Sequence, residues 1–169
     1  MPDIKQELER LIGCKEFEEY KKENPGSYLA SAFITAHPGK IEEAELEISF
    51  YSPKTEKITG FLMKESISRK KEDTVFQKEK AVVQELKMED MKTTLEDAAE
   101  TLESMRADRY PGDIPSKLII VLQVIEDKAV WNMTILTNTL KVWNLRIDAG
   151  TLEVLKDKME SILSFKVSK

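Results

Sequence analysis

The chain has 169 residues, 41% hydrophobic and 34% charged, with a formal net charge of −5, enough apolar material for one sizeable core or for two small ones sharing an interface. The acidic balance argues against a nucleic-acid partner, because phosphate contacts need Lys and Arg concentrated on one face. One cysteine, Cys14, and one histidine, His37, exclude an internal disulfide, a thiolate zinc cage and histidine-based metal ligation, so no metal and no cofactor is expected.

The opening MPDIKQELERL lacks the apolar run of a secretory signal, and no stretch of the chain is apolar enough to span a bilayer. The expectation is a cytoplasmic protein with no membrane partner. Lys outnumbers Arg 21 to 5 and Glu outnumbers Asp 22 to 9, a bias shared by proteins from hot environments and by the products of A-T-rich genomes.

Ile4, Leu8, Leu11 and Ile12 recur at helical spacing, and Phe17 and Tyr20 resume the stripe after Gly13, where a kink is expected; Asn24-Pro25-Gly26 ends the helix. Tyr28 to Ala36 is apolar or small on both faces, which suits a central strand, and His37-Pro38-Gly39 turns it. From about Glu43 to Tyr51, Ala44, Leu46, Ile48 and Phe50 alternate with Glu43, Glu45, Glu47 and Ser49, the pattern of a strand with one buried face. A third strand is expected at Ile58 to Met63.

Residues 64 to 80 are the most polar stretch and read as a seam, with a short strand around Thr74 to Phe76. Thr94 followed by Leu95-Glu96-Asp97 has the form of a helix cap with an acidic first turn, which predicts a helix from Leu95 to about Ala107. Three β-type runs follow: Leu118 to Ile125, apolar on both faces, then strands carrying Trp131, Met133, Ile135 and Trp143, Leu145, Ile147, joined by a turn at Thr137-Asn138-Thr139. After Gly150, Leu152, Leu155, Met159, Ile162 and Leu163 fall at helical spacing, which predicts a C-terminal helix capped by Thr151.

Helix followed by antiparallel meander thus occurs twice. The expected fold is α+β, with two related helix-plus-meander halves, residues 1–80 and 81–169, that read as a diverged duplication. A single continuous sheet and two facing sheets both fit.

The strand led by Trp131-Asn132, the run VWNLRIDAGTLEVL and the segment LKMEDMKTTLEDAAE resemble a PepSY-type unit, in which a helix packs on an antiparallel sheet that often closes with an Asp-Ala-x-Thr-Gly-Glu-Val phrase. Asp148-Ala149-Gly150-Thr151-Leu152-Glu153-Val154 is similar, with Gly150 placed before the Thr instead of after it. The resemblance covers roughly residues 86 to 155. It implies a domain that restrains peptidases or acts as a binding module, usually exported or membrane-tethered, and the cytoplasmic expectation departs from it there.

Five residues stand as speculative ligand or partner contacts. Trp131 and Trp143 fall on one face of their hairpin and read first as core cover, second as the floor of a pocket or surface. Asn132, Asn144 and Arg146, with Thr134, form a polar patch on the opposite face, which reads as a solvated face or as an interface. His37 sits in a turn beside no nucleophile, Cys14 has no catalytic neighbour, the Glu43/Glu45/Glu47 stripe is too splayed for a compact calcium site, and Arg69-Lys70-Lys71 is flanked by Glu72-Asp73. No phosphate-loop, dinucleotide, serine-elbow or metal-ligand pattern occurs. The expectation is a non-enzymatic cytoplasmic binding or protein-interaction module, its partner another protein or a second copy across the doubly apolar strands. The alternative is a small enzyme or ligand-binding protein with a pocket between helix and sheet, using Asp148, His37 or a Glu.

Overall fold

The computed structural model describes residues 1–74 and 83–166, the last two as backbone only. Helices α1 (Ile4–Ile12) and α2 (Lys15–Glu23) open the chain. The carboxylate of Asp3 caps α1 by accepting from the amides of Lys5 (3.0 Å) and Gln6 (3.2 Å). The kink expected near Gly13 is a complete break, with Gly13 ending α1 and Cys14, in extended backbone, starting α2.

Strands β1 (Tyr28–Ala36), β2 (Glu45–Ser52) and β3 (Lys57–Met63) form a meander, and the short β4 (Ile67–Arg69) and β5 (Asp73–Thr74) both pair with β3. Ile41–Glu43 forms a single 3-10 turn, so the second strand starts at Glu45, two residues later than its alternation indicates. The strand expected around Thr74 is present as β5; Val75 and Phe76 lie outside the described residues. Helix α3 (Leu95–Arg109) starts as expected, with a capping box in which Thr94 and Asp97 each take the other's backbone amide, at 3.1 Å and 2.7 Å. Strands β6 (Pro115–Ile125), β7 (Lys128–Thr137), β8 (Lys141–Asp148) and β9 (Val154–Ser161) complete the chain before a 3-10 turn at Ile162–Lys166.

The C-terminal helix expected from Leu152 onward is instead the strand β9. The apolar spacing there is helical, and tertiary context overrides it. Asp148 accepts from the amides of Gly150 (2.7 Å) and Thr151 (3.2 Å), and Leu152 takes a positive φ of 65° while its amide bonds to the Asp148 carbonyl. That turn returns the chain along β8, where β9 pairs with residues Lys141 to Ile147 and supplies partners for an edge that would otherwise be left open.

All nine strands belong to one antiparallel sheet in the order β4-β3-β2-β1-β6-β7-β8-β9, with β5 beside β3. Of the two arrangements compatible with the sequence, the continuous sheet is the one formed. Its middle is the β1·β6 pair, with Ile34 opposite Ile120. All three helices lie on one face. Ile4, Leu8, Leu11, Phe17, Tyr20, Leu95, Ala98 and Leu102 from the helices join alternate residues of β1–β3 and β6–β8 in a single buried cluster. Under α2 the cluster is aromatic, with Phe17, Tyr20, Phe50 and Phe61 in mutual tilted and edge contacts at 4.8–6.2 Å. No described helix covers the opposite face.

Candidate interaction face

The sheet separates the five residues singled out from sequence. Trp131 and Trp143 lie on the helix-covered face, each 1% exposed, whereas Asn132, Asn144 and Arg146 point to the open face. The two tryptophans therefore do not share a surface with the polar patch.

Both indoles are tied down. The Trp131 N–H donates to the Thr93 hydroxyl (3.0 Å), which donates to the Ala149 carbonyl (2.8 Å). The amides of Lys92 and Thr93 donate to the same carbonyl at 3.1 and 3.0 Å. The Asp-Ala-Gly-Thr phrase thus clamps the entry to α3 against the sheet. The Trp143 N–H donates to Asp157 (2.8 Å), which also accepts from the Tyr110 hydroxyl (3.2 Å) and pairs with Arg109, fastening the end of α3 to β9. Trp131 also borders a cleft of about 310 Å³ between the starts of α1 and α3, lined by Asp3, Lys5, Lys92, Thr93 and Thr94. The Asp3 carboxylate and the Thr94 hydroxyl are engaged as helix caps, and the indole N–H is satisfied.

On the open face the register sets out graded rows. One runs Phe33, Val121, Asn132, Arg146, Lys156 across β1, β6, β7, β8 and β9; the next runs Thr35, Ile119, Thr134, Asn144, Lys158. Directly opposed side chains on one face of an antiparallel pair have their Cβ atoms about 4.5–5.5 Å apart. The surface therefore passes from apolar at the middle of the sheet, through amides and hydroxyls, to cations at the β9 edge. Phe33 is 39% exposed on a central strand. Arg146 donates from Nε to the Asn132 side-chain oxygen Oδ1 at 3.4 Å, and among the described residues neither Arg146 nor Lys156 pairs with a carboxylate.

Toward β2–β4 the glutamates of the same face are paired within the fold. Glu45 meets Lys64 at 2.9 Å and Glu47 meets Lys70 at 2.7 Å. Glu47 reaches Lys70 by lying over Gly60, where an added Cβ would come within 2.1 Å of its carboxylate oxygen. The hydrogen bond from the ammonium to Glu47 raises the Lys70 pKa above its ordinary value.

The remaining candidates take structural roles. His37 is exposed in the turn after β1, its carbonyl accepting from Lys40. Asp148, spent on the β8–β9 turn, lies at the opposite end of the sheet. Cys14 is half-buried at the start of α2. Glu43 pairs with Lys40 in the 3-10 turn. Arg69 pairs with Glu23 and Glu72 and lies over the Tyr20 ring at 5.2 Å, so the basic run is absorbed by the fold. Among the described residues no cluster of three or more His, Cys, Asp or Glu is arranged to hold a metal ion, and no helix is long and apolar enough to cross a membrane.

Lys156 and Lys158 are the members of this face that sequence reasoning missed, because their segment was taken as helical. No apolar alternation marks this stretch, since Asp157 stands between Lys156 and Lys158, so its strand character was not available from the sequence.

No known family model matches the chain, and no curated protein matches it by sequence. Among solved structures, the fold is similar to that of a protein from Clostridium difficile 630 described as a "putative lipoprotein". The TM-score is 0.55 at 11% identity, over 86% of this chain and 90% of that one. At that identity the likeness is one of fold.

Proposed function

We propose that this chain is a non-enzymatic protein-interaction module that binds through the open face of its sheet. The observation that carries the proposal is the apolar strip at the middle of the open face, where Phe33 is exposed and Val121 and Ile119 are half-buried with no described helix over them. Exposed antiparallel faces are ordinarily polar, and an apolar strip rimmed by polar residues is the usual form of a contact surface. Affinity capture with the wild-type chain and with a Phe33→Asp/Val121→Asp variant tests it: a partner retained by the first and lost by the second supports the reading, and identical capture by both refutes it.

The PepSY-like resemblance adds the peptidase-regulating version of this role. The strand β9 after the Asp-Ala-Gly-Thr phrase brings residues 86 to 155 nearer to that pattern than the helix expected there. Reading residues 1–80 and 81–169 as diverged copies draws support from the strand order, since β1–β4 and β6–β9 each run outward from the central β1·β6 pair. A panel of peptidases whose rates are unchanged by the protein removes the regulatory version. A cytoplasmic placement is part of this proposal and is tested by cell fractionation. Recovery in the membrane fraction overturns it and favours the setting named for the fold neighbour.

A second reading, ligand binding between helix and sheet, is favoured by the cleft beside Trp131. Native mass spectrometry decides it: an adduct lost on denaturation supports a ligand, and a clean protein mass supports the interaction module.

A further inference from the structure

Resting on the reading of the open face as the binding surface, we infer that its partner is a protein segment presenting carboxylates beside bulky apolar side chains. The apolar groups sit over Phe33 and Val121, and the carboxylates meet Arg146 and Lys156. The first ground is charge. The chain carries −5 overall, yet Arg146, Lys156 and Lys158 stand together on the open face of β8 and β9. Two carboxylates on the same strands are paired elsewhere: Glu160 with Lys158 at 2.8 Å, and Asp148 with Lys128 at 4.0 Å while it accepts from two turn amides. Arg146 and Lys156 therefore face outward with their charge uncompensated. A cationic face on an acidic protein selects anionic groups, and the guanidinium offers a planar fork matched to carboxylate.

The second ground is the order of chemistry across the strands. Val121 and Arg146 are two strands apart, about 10 Å at the usual strand spacing, so one short segment reaches both. An anion without apolar groups leaves Phe33 and Val121 wet, and an apolar segment without acids leaves the cations unpaired and partly desolvated. A second copy of this chain is the poorer occupant, because stacking two such faces brings both sets of cations into one interface, while Glu45 and Glu47 on the other half are held by Lys64 and Lys70.

The test is a titration of the ¹⁵N-labelled chain with three peptides, Glu-Glu-Leu-Phe-Glu-Glu, Lys-Lys-Leu-Phe-Lys-Lys and Glu-Glu-Ser-Ser-Glu-Glu, and with phosphatidylglycerol vesicles. The first peptide is expected to shift the amides of Phe33, Val121, Asn132 and Arg146. Its affinity should fall at least tenfold in Arg146→Glu/Lys156→Glu and weaken with added salt. Arg146→Gln, the milder change, should give a smaller loss of the same kind with the remaining spectrum unmoved. The inference is overturned if no peptide shifts the face up to millimolar concentration, if the lysine or serine peptide does so equally well, or if vesicles alone do so. Concentration-dependent shifts of the face without peptide also overturn it, in favour of a second copy. In the last three cases the face is still a binding surface; a face that answers to no probe and not to its own concentration counts against the broader reading as well.

Discussion

The two faces of this sheet are made from the same strands yet solve different problems. On the covered face, residues one strand apart are matched for packing: Ile34 against Ile120, Ile120 against Met133, Met133 against Leu145. Even the polar atoms there, the two indole nitrogens, have fixed acceptors. On the open face the rows change character from strand to strand, which is of no use for packing a core and is useful for reading a partner. Trp131 and Trp143, the largest side chains of the meander, are packed in the core, while Phe33 is exposed and Arg146 half-buried on the open face.

The sharpest test of that contrast is truncation on each face. Trp131→Ala and Trp143→Ala should each cost about 3–5 kcal/mol, the range for large buried aromatics. Phe33→Thr, on the open face with β propensity retained, should stay within about 0.5 kcal/mol. Urea or guanidinium denaturation measures both. A large loss for Phe33→Thr would mean that the open face is covered in the folded protein and is not a binding surface.

Next in size is Asp157, which holds the covered face together at its β9 end. Asp157→Ala strips the acceptor from the Trp143 indole and the Tyr110 hydroxyl and leaves Arg109 unpaired. Leaving buried donors unsatisfied costs about 1–3 kcal/mol. Hydrogen exchange should quicken in β9 and the end of α3 before it does in β1. Uniform quickening would show that β9 is not separately held.

Legibility in the sequence followed the same division. β1 and β6 were readable as central strands from their two apolar faces, and the Thr94 cap fixed the start of α3, because each depends on neighbours in the sequence. The fate of residues 152–161 was not readable, because a free β8 edge decides it. The split between the tryptophans and the polar patch was readable from alternation, and so was the covered face, since the larger apolar side chains mark the side the helices pack on; the graded row that ends in Lys156 and Lys158 was not, because it depends on β9.

A smaller effect is expected at Asp113, where the loop after α3 meets the β7–β8 turn. The Thr139 hydroxyl, first, and Lys141, second, hold its carboxylate below the usual aspartate range. Its folded pKa is depressed, so its contribution to stability is present at neutral pH and is lost as pH falls through the folded value. Asp113→Asn should flatten the acid limb of the stability curve and lower stability near neutrality. An unchanged acid limb would show that Asp113 is solvated.

The smallest effect is expected at Tyr20, whose hydroxyl, like that of Ser52, is buried on the covered face without a hydrogen-bond partner among the described residues. The Tyr20 ring is completely buried against Phe17, Phe50 and Phe61. Burial raises the phenol pKa above its ordinary 10.0. A raised folded pKa means stability that is whole below pH 10 and lost above it, as the unfolded chain ionises first. Tyr20→Phe keeps every ring contact and removes the unpaired oxygen, so it should be neutral or stabilise by up to about 1 kcal/mol and should blunt the alkaline loss. Destabilisation by Tyr20→Phe would show that the hydroxyl is hydrogen-bonded after all, through water or a residue outside the described set.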